Sequence, residues 1–88
     1  AINITELDKK EFQSAIGRRI KLLREKKKIS QVELAALCNF EKSNMSRLEA
    51  GNTNPTAYTL YIISQKLGVE VNELLKDLND SSAPKKAI

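Results

Sequence analysis

Apolar residues recur every three or four positions through most of this 88-residue chain. Such spacing puts side chains on one face of an α-helix, because the helix turns once every 3.6 residues. The first segment with this pattern carries Phe12, Ile16, Ile20 and Leu23. No stretch alternates apolar and polar residues for long enough to predict a β-strand. The pattern therefore predicts an all-α fold.

Turn-forming residues divide the pattern into five predicted helices. Ser30, followed three residues later by Glu33, predicts a capping box at the start of the second helix. Asn39, Gly51 and Gly68 predict the ends of the second, third and fourth helices, because Asn and Gly tolerate the backbone of a sharp turn. A short chain of this kind folds as several short helices joined by tight turns.

The length fits one small domain. The apolar pattern runs over residues 9–78, and we expect the domain there, with its fifth helix over residues 70–78. Residues 1–8 have no clear period and are expected to form a flexible lead-in. Residues 79–88 are mostly polar, and a flexible tail is expected.

Cysteine and histidine content excludes several kinds of site. The chain has one cysteine, Cys38, and no histidine, so an internal disulfide, a structural zinc site and a Ser-His or Cys-His nucleophile pair are excluded. Its carboxylates form no paired constellation and no glycine-rich loop could cradle a phosphate, so we expect neither an enzyme nor a cofactor. No apolar run approaches the ~20 residues that cross a bilayer, and no signal peptide opens the chain. A cytoplasmic protein without a membrane partner is expected.

Positive charge is concentrated at one end of the chain. Residues 1–29 carry nine basic and four acidic side chains, whereas residues 30–80 carry four basic and seven acidic ones. A lopsided basic field indicates an anionic partner. On charge alone, a solvated helix face explains the pattern equally well. The lysines at 26–28 also complement the negative end of the first helix dipole.

The two short helices predicted between Ser30 and Glu49 have the proportions of a helix-turn-helix. The outer face of the second helix carries Lys42, Ser43, Asn44, Ser46 and Arg47. Arg and Lys can donate to guanine, Asn can form two hydrogen bonds with adenine, and Ser can join either base. Composition alone leaves an ordinary solvated helix open as the alternative.

Several motifs resemble the lambda-repressor/Cro-like helix-turn-helix family, also called the Xre family. They are Ile16-Gly17-Arg18-Arg19-Ile20-Lys21-Leu22-Leu23-Arg24, Ile29-Ser30-Gln31-Val32-Glu33-Leu34-Ala35, Ser46-Arg47-Leu48-Glu49-Ala50-Gly51, Asn54-Pro55-Thr56 and Leu67-Gly68-Val69. The resemblance covers about residues 12–78. It implies a five-helix lambda-repressor-like DNA-binding domain, and a transcriptional regulator that binds specific sequences of double-stranded DNA.

The resemblance also implies roles for individual residues. The side chains implied to contact bases or phosphates are Gln31, Lys42, Ser43, Asn44, Ser46, Arg47, Asn52 and Asn54. Gln31 resembles the family's glutamine that touches a phosphate and braces the next helix. Arg24 and Glu49 resemble a partly buried ion pair that links the first helix to the end of the third.

The chain departs from the family pattern at two positions. Many members have Gly where Asn39 stands, and Asn is an easy substitute there. Many have Ser or Thr where Glu41 stands, and Glu is not a favoured N-cap residue. Glu41 also places a carboxylate close to where phosphates would approach.

Two functions from different classes remain open. The first is a repressor that binds a near-palindromic operator as a homodimer, with half-sites about 34–36 Å apart. Its dimer surface is expected among Tyr61, Val71, Leu75 and Leu78, which could alternatively belong to the core of the monomer. The second is an antitoxin or coactivator-like adaptor with a protein partner, a toxin or RNA polymerase. That adaptor would work through the last, acidic helices and residues 80–88.

Overall fold

The computed structural model describes residues 7–76 and residue 78. In this part of the chain no strand is present, and the helices are α1 (Lys9–Lys26), α2 (Gln31–Cys38), α3 (Lys42–Glu49), α4 (Ala57–Leu67) and α5 (Val71–Leu74). The predicted all-α fold of five helices is confirmed. None of these helices combines the length and apolarity that spanning a membrane requires.

Polar side chains begin α1, α2 and α4. The predicted capping box of α2 is confirmed, since the Ser30 hydroxyl accepts from the Glu33 amide and the Glu33 carboxylate accepts from the Ser30 amide. Asp8 and Glu11 form a second capping box, at the start of α1. Asn39 ends α2 with a left-handed φ of 62°. Residues 1–6 and 79–88 lie outside the described residues, so the flexible lead-in and tail stay predictions.

The fifth helix is shorter than expected, because α5 ends at Leu74 rather than at residue 78. The Arg19 guanidinium donates to the backbone carbonyl of Glu73 at 2.6 Å and to its carboxylate at 3.0 Å. The chain then tightens, since the Leu75 amide donates to the Asn72 carbonyl at 3.2 Å. The helix thus ends beside a contact between segments that are far apart in the chain.

One apolar core joins the five helices. Each helix contributes at least one side chain with no exposed surface, and these are Ile16, Ile20, Leu34, Met45, Ile63 and Leu74. Cys38 is also buried, and burial raises the pKa of its thiol. The thiol is therefore protonated at neutral pH and packs as a small apolar group. Phe40 is partly buried and packs against this core.

The backbone of α1 lies very close to the end of α3. A Cβ atom added to Gly17 would lie 2.5 Å from the carbonyl oxygens of both Leu48 and Glu49. Real Cβ atoms do not approach backbone oxygens so closely, so only glycine permits this crossing. Gly17 therefore determines how near α3 can lie to the body of the domain.

Replacing Gly17 with alanine should destabilise the protein by about 1–3 kcal/mol, because α1 and α3 must separate to admit the methyl group. Urea denaturation followed by circular dichroism measures the change. Lys21→Ala is the control, since Lys21 is an exposed position of the same helix and should change stability by less than about 0.5 kcal/mol. A more stable Gly17→Ala variant, as helix propensity alone predicts, would contradict the close crossing.

Candidate nucleic-acid interface

The interface is built on α2 and α3, which residues 39–41 join through a tight turn. The Phe40 amide donates to the Ala35 carbonyl at 2.8 Å, which closes the turn behind the left-handed Asn39. α3 packs against both α1 and α2, and α2 packs in addition against α4. The second short helix is thus supported from behind by the rest of the domain.

α3 has a buried side and a solvent side. Met45, Leu48 and Glu49 are buried. Four residues singled out from the sequence, Lys42, Ser43, Asn44 and Arg47, are exposed, whereas Ser46 is half-buried at the margin. The polar side chains that could meet a partner therefore share one outward face, which we call the α3 face.

A buried ion pair holds α3 from the inside. The Arg24 guanidinium donates to both carboxylate oxygens of Glu49, at 2.7 and 3.0 Å. The side chains of Arg24 and Glu49 are only 10% and 3% exposed. The hydrogen bond to Glu49 raises the pKa of Arg24, against the opposing effect of burial. This planar two-point contact fixes the orientation of both side chains as well as their separation.

Two further hydrogen bonds complete the network around this pair. Arg24 also donates to the Ile29 carbonyl at 2.9 Å, just ahead of α2. The side-chain amide of Gln31 donates to Glu49 at 2.9 Å. Gln31 is half-buried at the first position of α2, and this bond ties α2 to the end of α3.

The loop after α3 is held by the beginning of α1. Lys10 donates to the Gly51 carbonyl at 2.7 Å and to the side-chain oxygen of Asn52 at 2.8 Å. Gln13, which is buried, donates to the same Gly51 carbonyl at 3.2 Å. Sequence reasoning did not single out Lys10 or Gln13. Local spacing contains no signal for them, because their partners lie about forty positions away in the chain.

A shallow cleft of about 220 Å³ separates the α3 face from the loop that leads to α4. Asn44, Arg47 and Asn54 line it, with Phe40 and Pro55 supplying apolar surface. The structure therefore brings together three of the residues singled out from the sequence. Gln31 lies apart from the cleft against Glu49, and Asn52 is joined to Lys10.

Glu41 stands at the N-cap of α3 and makes no capping hydrogen bond there. Its carboxylate is exposed beside Lys42 and Ser43, at the end of the α3 face. Within the described residues, no group of three or more His, Cys, Asp or Glu side chains could hold a metal ion. The exposed side chains of the α3 face offer hydrogen-bonding groups and charge.

Two short helices, a tight turn between them and an exposed polar face on the second define a helix-turn-helix domain. Comparison with known proteins agrees, since residues 20–74 match the HTH_3 family, described as Helix-turn-helix. The chain belongs to this family of Xre/lambda-repressor-like transcription regulators, as its sequence resemblance predicted. Family members are DNA-binding regulators rather than enzymes, which confirms the prediction that this protein is not an enzyme.

Two relatives are similar in sequence. The chain is 34% identical over 71 residues to the uncharacterized HTH-type transcriptional regulator y4dJ of Sinorhizobium fredii, covering 81% of this chain and 92% of the relative. It is 33% identical over 60 residues to the immunity repressor protein of Bacillus phage phi105. That match covers 68% of this chain but only 42% of the phage repressor.

Solved structures show the same fold. The restriction-modification controller protein C.AhdI from Aeromonas hydrophila has a TM-score of 0.69 and 29% identity, over 70% of this chain and 94% of its own. The clp gene regulator ClgR from Corynebacterium glutamicum has a TM-score of 0.78 and 25% identity, over 86% of this chain and 81% of its own.

Removing one partner of the Arg24–Glu49 pair should cost about 3–5 kcal/mol, because the remaining charge is left buried without a counter-charge. We expect Arg24→Met and Glu49→Leu each to show this loss in urea denaturation. The double variant should be more stable than either single variant, since it buries no unpaired charge. Additive losses in the double variant would contradict a coupled, buried pair.

Proposed function

We propose that this protein represses transcription by binding an operator in double-stranded DNA through the α3 face. The observation that carries the proposal is the exposed polar α3 face, held rigidly from behind by Arg24 and Glu49. A major groove about 12 Å wide admits one α-helix. Interfaces of this kind need side chains that are preorganised, because ordering them on binding reduces affinity.

In this proposal each part of the interface has its own role. α3 enters the major groove, where Lys42, Ser43, Asn44, Ser46 and Arg47 meet base edges and adjoining phosphates. α2 crosses the backbone with Gln31 towards a phosphate. The loop residues Asn52 and Asn54 meet phosphates on the other side of α3. Glu41 repels nearby phosphates and so lowers binding to non-specific sequences.

Lys10 adds a positive charge to this interface. It is hydrogen-bonded to Asn52, so its charge lies within the loop that we propose meets phosphates. It contributes to the attraction of DNA, which depends on ionic strength.

The proposal also includes a repressor role and a homodimer. Likeness to the phage immunity repressor supports repression, and occupying a promoter is the simplest way to achieve it. Exposed apolar side chains support a dimer, since Tyr61, Val71 and Leu75 are 49%, 40% and 42% exposed along α4 and α5. Leu78 packs instead against the core, so we leave it out of the dimer surface. Such a regulator acts on DNA in the cytoplasm.

DNA binding should weaken by orders of magnitude as salt rises from about 50 to about 200 mM, because several phosphate contacts release counterions. Arg47→Ala and Lys42→Ala should each reduce affinity for the selected operator by about 1–3 kcal/mol and relax base preference. Fluorescence anisotropy with labelled duplexes measures both effects. Lys66→Ala, an exposed position of α4, is the control and should bind normally. Failure to bind any duplex at low salt would overturn the proposal and favour the adaptor.

Placing a charge on the proposed dimer surface should give a monomer. We expect Val71→Asp and Leu75→Asp to sediment as monomers at concentrations where the natural protein sediments as a dimer, since each charge would be buried in the interface. Leu37→Asp is the matched control, because Leu37 is 50% exposed but lies on α2. A monomeric natural protein, or dimers in all variants, would rule out this surface.

A further inference from the structure

We propose that Asn44 and Arg47 act as a single hydrogen-bond donor unit that prefers guanine to adenine. The proposal rests on DNA binding by the α3 face and specifies which bases that face reads. It reverses the expectation from residue type alone, which lets Asn44 form two hydrogen bonds with adenine.

The two side chains are already joined in the structure. Arg47 donates through Nη2 to the side-chain oxygen of Asn44, three residues earlier on the same helix. A guanidinium group can only donate, so the atom of Asn44 that faces it must be the amide oxygen rather than the nitrogen. This contact orients the Asn44 amide with its oxygen towards Arg47.

This orientation decides what the pair can offer to DNA. One lone pair of the Asn44 oxygen accepts from Arg47, so this oxygen faces a positive charge, and the NH₂ group of Asn44 is free to donate. Arg47 keeps its remaining N–H groups, and both residues are exposed. Asn44 and Arg47 together therefore present mainly donors, and the second lone pair of the Asn44 oxygen is the acceptor that remains.

Bases differ in whether they match a surface of donors. In the major groove guanine offers two acceptors, N7 and O6, whereas adenine offers one acceptor and one donor, its N6 amino group. An adenine beside Asn44 would have to direct that amino group at an oxygen that already accepts from Arg47, next to the donors of the guanidinium group, so adenine is disfavoured. Thymine offers an acceptor at O4 and is tolerated. We therefore expect guanine opposite Arg47, and guanine or thymine opposite Asn44.

In the loop beside α3, a cation likewise donates to the side-chain oxygen of an asparagine. Lys10 donates to the side-chain oxygen of Asn52, and lysine likewise cannot accept. The Asn52 amide thus also directs its NH₂ group away from the cation and towards a potential phosphate. In both places a cation occupies the oxygen of an asparagine, which leaves the donor end for an anionic or acceptor-bearing partner.

Selection of bound duplexes from a random DNA pool tests the inference, using the full chain and three variants. Asn44→Ala identifies the position that Asn44 reads, because preference there should flatten. Arg47→Met removes the guanidinium and frees the Asn44 oxygen. We expect it to lose guanine at one position and, at the Asn44 position, to shift preference towards adenine by about tenfold. Arg18→Met, which removes an exposed arginine from α1, should select the same site as the natural protein.

The outcomes separate this inference from the proposed function. Adenine selected by the natural protein at the Asn44 position would overturn the donor unit. So would an Arg47→Met variant that loses guanine while the Asn44 position stays unchanged. In both cases salt-dependent, sequence-selective binding would still support the regulator. If the natural protein enriches no sequence at low salt, the proposed function fails and the inference fails with it.

Discussion

The contact between Arg24 and Glu49 is the one on which the interface depends. It joins the end of α1 to the end of α3, and the same two side chains bond to Ile29 and Gln31 at the entry to α2. Because the carboxylate is almost fully enclosed, its bonds define one geometry rather than a range of them. The ion pair therefore fixes the position of the α3 face, since a short helix of eight residues has little rigidity of its own.

Much of the fold was predictable because its signals are local. A capping box needs only Ser30 and Glu33, and a left-handed turn needs only Asn39, so the sequence contains both. The end of α5 was not predictable in this way. It coincides with the contact between Arg19 and Glu73, which are 54 positions apart, and apolar spacing continues past that point.

The candidate site, like the fold, was predictable only where its signals are local. Residue types and helical spacing indicate which side chains of α3 face outward, and family resemblance supplies their expected roles. Neither reveals which hydrogen-bonding atoms are already in use. Lys10 holding Asn52 and Arg47 holding Asn44 are relations between rotamers, so a sequence states what an asparagine could bind but not which of its two ends is available.

α1 has a further consequence for the assembly. It is the longest helix, with 18 residues, and it is bonded to α5 through Arg19 and to α3 through Arg24. In the proposed dimer, α1 connects the surface where two copies meet to the helices that enter the grooves. The distance between the two α3 helices of the dimer would then be set by the structure of each monomer. Substitutions within α1 would therefore change the operator spacing that the dimer fits without altering a contact to DNA.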